Sequence, residues 1–260
     1  MGFLLSDPGL ETAIRTAGGI TELARRIGIS QPSVSNWTRV PAERVLSVEA
    51  ATGVPREILR PDIYGAPLDR RDEVDAARAD EYALLGALLA SPPDATLLKR
   101  LARLRGDETP LGVAHRALAQ AAAEATAEGI AREFFELFIG IGRGELLPYA
   151  SYYLSGFLHE RPLARLREDL RALGIERAPE QHDPEDHAAI LCEIMAGLIA
   201  GRFPAAAEQE QRFFEKHLAP WLGRFFTDLR SAKAADFYRP IGAIGALFVE
   251  IETQAFALPA

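Results

Sequence analysis

Apolar residues recur every three to four positions along almost the whole chain, and no stretch alternates apolar with polar in the two-residue rhythm of a half-buried strand. Read with glycine and proline as punctuation, this pattern predicts an all-α protein in two parts. In the first part, helices over Leu10–Ile14 and Thr21–Ile27 stop at Gly18-Gly19 and at Gly28. A third helix, QPSVSNWTR from Gln31 to Arg39, comes next, with Ser30 placed to cap it and Pro32 in its first turn. Two more are expected over Pro41–Gly53 and Pro55–Leu59. The run TELARRIGISQPSVSNW has helix-turn-helix spacing: Ala24 is small where two helices cross, and Ile29 and Val34 fill the space between them. Residues 65–79 are charged and lack an apolar face, which reads as a linker. From Asp80 to the end the pattern is helical again. The expected architecture is therefore a helix-turn-helix domain over 1–64, a linker over 65–79 and a larger all-helical bundle over 80–260.

The bundle is organised around EFFELFIGIGRGELLPYASYY, Glu133 to Tyr153. Phe134, Phe135, Leu137, Phe138 and Ile141 give its opening helix an apolar surface too wide for a solvated helix, so the expectation is a core helix. Gly140, Gly142 and Gly144 then break that helix, and Pro148 fixes a loop that delivers Tyr149, Ser151, Tyr152 and Tyr153 together. Some thirty residues on, Asp183-Pro184-Glu185-Asp186-His187 is expected to open the helix AAILCEIMAGLIAG. Asp183 would be its cap, Pro184 its first residue, and Glu185 and Asp186 would lie in the dipole-favoured first turn. The alternating Arg and Glu of PLARLREDLRALGI read as a solvated face. The rings from Phe213 to Phe226 read as core, and Gly242 and Gly245 as points of close helix contact.

Composition changes the picture in three ways. The single Cys192 lies in an apolar helix, so no disulfide framework exists and the thiol reads as buried in a reducing, cytoplasmic setting. No apolar run reaches a membrane span, Phe3-Leu4-Leu5 is too short for a signal sequence, and Met1–Ser6 satisfies only the loose myristoylation pattern. The net charge of −8 lies wholly beyond residue 64, since acids and bases balance before it. An acidic body repels nucleic acid and suits a basic peptide.

Candidate chemistry is sparse. His182, Asp183, Asp186 and His187 are metal-ligand types within six residues, but no Glu-x-x-His pair exists, and no metal is assigned. Gly140–Gly144 comes after a helix, not a strand, and is no phosphate loop. His115 and His217 read as packed histidines. No catalytic residue and no cofactor is assigned.

The stretches EFFELFIGIGRGELLPYASYY, DPEDH, FFEKHLAPWLGRFFTDL and DFYRPIGAIGALFVEIE, in this order, resemble the TorD/DmsD-type chaperones over roughly residues 80–255. Ala150 stands where those chaperones often carry an acidic residue. The resemblance implies an all-helical cytoplasmic protein, not an enzyme, that binds an apo molybdenum-containing oxidoreductase or its twin-arginine leader during cofactor insertion and export. The client-binding candidates are Tyr149, Ser151, Tyr152, Tyr153, Glu185, Asp186 and His187. Residues 1–64, closing on RPDIY, resemble Cro-like, YdaS-type DNA-binding domains. That implies a third helix offering Gln31, Ser33, Asn36 and Arg39 to DNA, while the neutral charge keeps a protein-interaction module open. Three functions stay open: the chaperone, a transcription regulator whose second domain senses the apo-enzyme, and an enzyme using the histidine–carboxylate cluster. The client, the operator and the assembly state, a homodimer included, are not legible.

Overall fold

The computed structural model describes residues 7–64, 70–177, 183–203 and 207–258. Among these residues every regular element is a helix, in agreement with the all-α expectation. Contacts divide the chain into two compact units, Met1–Glu73 and Val74–Ala260.

In the smaller unit, α1 (Pro8–Ala17) starts where the Asp7 carboxylate accepts the amides of Gly9 (3.0 Å) and Leu10 (3.2 Å). It ends at Gly18, whose φ of +91° lets the chain reverse without strain. Helix α2 (Ile20–Ile27) and α3 (Gln31–Ser35) form the helix-turn-helix, with Ala24 and Val34 buried and Ile29 packed against the same core. The third helix is shorter than expected. It stops at Ser35, and Thr38 and Arg39 lie beyond it. Its sequence explains the stop: Ser33, Ser35 and Asn36 compete with the backbone for hydrogen bonds and are poor helix interiors. Ser30 does not cap α3 with its side chain; its Oγ meets Ser33 Oγ at 2.7 Å instead. After a 3₁₀ turn at Ala42–Arg44, α4 (Val45–Thr52), α5 (Arg56–Leu59) and α6 (Pro61–Tyr64) close the unit over Leu10, Leu23, Val45, Val48 and Leu59. Trp37 packs partly buried against that core.

The larger unit begins at Val74 within α7 (Arg70–Ala90) and runs through α8 (Ala95–Leu101), α9 (Pro110–Glu124), α10 (Ala127–Phe134), α11 (Ala150–Ser155), α12 (Arg161–Ala172), α13 (Ala188–Ile199), α14 (Ala207–Phe213), α15 (Leu222–Ser231) and α16 (Tyr238–Ala257). Its core holds Tyr82, Trp221, Phe225, Phe226 and Tyr238. Helices α15 and α16 touch backbone to backbone at Gly242 and backbone to side chain at Gly245. A Cβ on Gly242 would lie 2.4 Å from Arg230 N, and one on Gly245 would lie 2.3 Å from the Phe226 ring. Helix α7 already begins inside the stretch expected to be a linker. Its Arg78 enters a buried network, reaching Glu252 at 2.7 Å and Glu210 at 2.6 Å, with Tyr82 Oη donating to Glu252 at 3.2 Å. Burial alone would lower the Arg78 pKa, but Glu252 and Glu210 outweigh it and raise it. Cys192 is wholly buried, which pushes its thiol up to about 12 and makes it inert.

The helix that opens the central stretch departs most from expectation. Phe134 and Leu137 are buried, but Phe135 (42%), Ile139 (54%) and Ile141 (99%) are exposed. After α10 the helix widens into a π turn, Phe135–Ile139, which spreads these side chains around the axis. Gly140 (φ +62°) then turns the chain away, and a Cβ there would lie 2.1 Å from Arg143 O.

Candidate client-binding site

The two motif stretches meet. Tyr149 and His187 face each other as an isolated antiparallel bridge: Ala150 N–H donates to Asp186 O (3.0 Å), and Ala188 N–H to Pro148 O (2.8 Å). The buried Asp186 carboxylate accepts the Ser151 amide at 2.8 Å, at the start of α11. The Tyr149 ring packs edge-on against His187, with centroids 5.0 Å apart, and its hydroxyl donates to Asp183 at 3.1 Å.

This geometry changes what the sequence suggested about the acidic motif. Helix α13 begins at Ala188, not near Pro184, and His187 is its cap, with Nδ1 accepting the Ala189 amide at 3.1 Å. Asp183 to Asp186 precede the helix: the Asp186 carbonyl is spent on the bridge to Ala150, and the Pro184 carbonyl accepts the His187 amide at 3.0 Å in a turn. The carboxylates are spent too. Asp186 is 1% exposed, and Glu185 pairs with Arg167 of α12 at 2.8 Å. Burial tends to raise the Glu185 pKa, but the Arg167 bond outweighs it and lowers the value. Burial pushes His187 below its usual 6.5 against the pull of Asp183 and Asp186, so the imidazole is neutral. Only Asp183 of the acidic stretch is exposed.

Tyr152 and Tyr153 likewise sit on a helix, α11, not on a loop, while Tyr149 precedes it in extended conformation. Tyr152, half-buried, receives Arg143 at its hydroxyl (3.2 Å) and over its ring (5.6 Å). Tyr153, buried, donates to Asp228 at 3.0 Å and lies against Trp221 and Phe225. Ser151 is buried, and its Oγ has no partner among the described residues. A cavity of about 330 Å³ opens beside it, lined also by Tyr149, Leu158, His159 and Arg167. The structure thus joins Tyr149, Ser151, Asp186 and His187 in one rigid hub and turns Tyr152 and Tyr153 away from it.

Several residues that matter here carried no local signal. Glu133 accepts the amides of Asp236, Phe237 and Tyr238 at 2.8–3.0 Å, and Glu145 those of Lys233 and Ala234. The central stretch therefore caps the last helix from a hundred residues away. The Arg/Glu face of α12 is not merely solvated. Besides Arg167, its Asp169 accepts both Lys216 and His217 at 2.5 Å. His115 pairs with Glu81 at 3.0 Å, which raises its pKa. Among the described residues no group of three or more His, Cys, Asp or Glu is placed to hold a metal; His182 lies outside them. Nor, among them, is any helix long and apolar enough to cross a membrane.

In the smaller unit Gln31, Ser33, Asn36 and Arg39 are all exposed. Gln31 donates to Ser35 Oγ (2.8 Å), and Arg39 pairs with Asp62 at 3.3 Å. Arg25, Arg26, Arg56 and Arg60 are also paired within the unit.

Residues 105–227 match the family model described as nitrate reductase delta subunit, and residues 10–68 that of bacterial toxin YdaS. Among curated proteins, the chain is 28% identical over 130 residues to the chaperone protein TorD of Vibrio cholerae, covering 46% of this chain and 59% of that one. It is 27% identical over 138 residues to TorD of Aliivibrio fischeri, covering 49% and 64%. With TorD of Psychrobacter it shares 32% over 104 residues, covering 37% and 47%. The larger unit is TorD-like, and the smaller is YdaS-like. The match spans about three fifths of the length of the first two relatives. A redox enzyme maturation protein from Archaeoglobus fulgidus superposes with a TM-score of 0.44 at 18% identity, over 70% of this chain and 94% of that one. The hub, with both motifs, lies inside the region matched by the nitrate reductase delta subunit model.

Proposed function

We propose that the protein is a cytoplasmic chaperone that binds an apo molybdenum-containing oxidoreductase, or its twin-arginine leader, during cofactor insertion and export. Its work is binding, not turnover. The observation that carries this reading is the exposed apolar stretch Phe135, Ile139 and Ile141, in the region matched by the nitrate reductase delta subunit model and shortly ahead of the hub. Exposed large apolar side chains held on a fixed turn suit a partner that brings its own unburied apolar surface, as an unfinished enzyme does. The hub serves that surface as scaffold: it ties the start of α11 to the start of α13. Co-purification of the tagged full chain, followed by mass spectrometry, tests the reading. A molybdenum oxidoreductase lacking its cofactor should be enriched, and its absence would overturn the proposal.

The exposure of Gln31, Ser33, Asn36 and Arg39 supports a second role, DNA binding by the smaller unit, either beside the chaperone work or as a regulator whose larger unit senses the apo-enzyme. Arg25, Arg26, Arg39 and Arg56 are engaged in exposed ion pairs of small net worth, which phosphates can displace. Asn36→Ala should then cost about 1–3 kcal/mol of specific binding. No binding to genomic fragments at low salt would leave the unit as a protein-interaction module.

A further inference from the structure

The closing segment of the smaller unit, Arg60-Pro61-Asp62-Ile63-Tyr64, buries none of the residues of α6, so burial does not account for it. Its connections are polar and run to the stretch that follows α3. Arg60, with a side chain only 11% exposed, donates from Nη1 to Val40 O at 2.8 Å and grips the Asp62 carboxylate through both Nε and Nη2 at 2.7 Å. The amides of Ile63 and Tyr64 donate to Arg60 O at 3.0 and 3.1 Å, which closes the turn around Asp62. The same carboxylate, 48% exposed, receives Nη1 of Arg39 at 3.3 Å, and the Arg39 side chain is 57% exposed.

The two contacts on Asp62 differ in strength. The Arg60 fork is short and bidentate, and it holds the Asp62 carboxyl down at about 2, so the group is charged near neutral pH. The Arg39 contact is single, longer and open to water, a kind of pair with little net worth. Arg39 also lies beyond the end of α3 at Ser35, so it does not project from that helix as Gln31 and Ser33 do. An oxyanion already sits against its guanidinium, which is the chemistry of a phosphate contact.

We infer that in the free protein Asp62 occupies the place of a DNA phosphate at Arg39: the Arg60–Asp62 fork is fixed, and Arg39 moves from it to the backbone of a bound duplex. Arg39 then supplies affinity without base choice, which falls to Gln31, Ser33 and Asn36. Asp62 is a positioning residue. It keeps Arg39 beside α3 and restrains binding to DNA of any sequence, because a phosphate must displace a carboxylate to reach that arginine. The inference rests on the DNA reading of the smaller unit.

The test is fluorescence anisotropy of the full chain with two labelled duplexes of unrelated sequence, over a series of salt concentrations. Arg39→Ala should weaken binding to both duplexes by the same factor and reduce the slope of log K against log salt by about 1. Asp62→Asn keeps the side-chain shape and should lower Kd for both by about two- to fivefold at low salt and by less at high salt. Most of that gain should be lost in the Arg39→Ala background, which a role in the fold alone would not produce. Glu11→Gln, at an exposed position on α1, changes net charge equally and should lower Kd less. An equal gain from Glu11→Gln, or a gain that survives Arg39→Ala, assigns the effect to net charge and overturns the inference while the DNA reading stands. Unequal losses on the two duplexes for Arg39→Ala make it a base reader and also overturn the inference. If Asp62→Asn lowers the melting temperature, Arg39→Ala, an exposed change, decides alone through its salt slope. No binding by any form at low salt overturns the inference and the DNA reading together.

Discussion

Two stretches of this chain make the same local structure from similar residues, and only one of them is covered. Phe134-Phe135-Glu136 and Phe213-Phe214-Glu215 each lead a helix into a five-residue π turn, Phe135–Ile139 and Phe214–Leu218. Each turn closes with its wide hydrogen bond, Gly140 N–H to Phe135 O at 2.7 Å and Ala219 N–H to Phe214 O at 2.9 Å. In the second, Phe214 and Leu218 are buried, Phe256 of α16 lies 5.2 Å from the Phe214 ring, and Asp169 of α12 receives Lys216 and His217. In the first, the corresponding Phe135 and Ile139 face outward. The path of the chain beyond each turn makes the difference. The second runs through Pro220 into α15, with Trp221 Nε1–H donating to His217 O at 2.8 Å, while the first meets Gly140 and swings away. Apolarity sets the need for a partner. The neighbouring chain decides whether that partner is internal.

The comparison predicts unequal costs for equal deletions. Phe214→Ala should destabilise by about 3–5 kcal/mol, as a large buried ring does, while Phe135→Ala should cost less than about 1 kcal/mol. Urea unfolding of the two variants measures both. Similar costs would mean that the first turn is buried in solution. Next in size is Gly140→Ala, which forces a side chain into positive φ against Arg143 O and should cost about 1–3 kcal/mol. A neutral result would show that the turn can relax, and that the exposed side chains are not held in place.

A smaller effect separates the turns by pH. Where the second turn has His217 the first has Phe138. Burial lowers the His217 pKa below 6.5, outweighing the pull of Asp169. The unfolded chain therefore takes up this proton first. The stability gained by keeping His217 neutral is complete above about pH 6.5 and is lost as the pH falls from there towards the folded value. Asp169, whose carboxyl is lowered by Lys216 and His217 against its burial, titrates below that window. The stability gap between wild type and His217→Phe should narrow as the pH falls from 7.5 to 5. A constant gap would assign His217 a packing role only.

How far the sequence could be read divides along the same line. Helices, their stops at Gly18, Gly28 and Gly53, and the close contacts at Gly242 and Gly245 are local facts of propensity and size, and they were legible. So was the pairing in sequence order of the tyrosine and acidic motifs. The illegible part is long-range. Nothing near Glu133 says that it caps α16. Nothing in DPEDH says that Asp186 turns inward to Ser151 instead of outward, because a good first turn and an extended bridge use the same residues. The wide apolar face at Phe135–Ile141 reads as core under any rule of periodicity, since periodicity counts apolar positions and cannot count neighbours.

The smallest expected change in stability carries the most information about function. Ile141 sits between Gly140 and Gly142, both at positive φ, and is 99% exposed, so the folded chain gains almost nothing from it. Ile141→Ser should therefore alter unfolding free energy by less than about 0.5 kcal/mol, the range of an ordinary surface change. If an unfinished enzyme covers the turn, the same substitution removes apolar area from that interface and should lower the amount of client recovered with the tagged protein. Phe214→Ser is the opposite control: it should unfold the chain and lose client only through loss of the fold. Melting temperature and client recovery measured on the same preparations keep the two effects apart. A fall in melting temperature for Ile141→Ser would mean the turn has an internal partner. Unchanged recovery with unchanged melting would move the client surface off this turn.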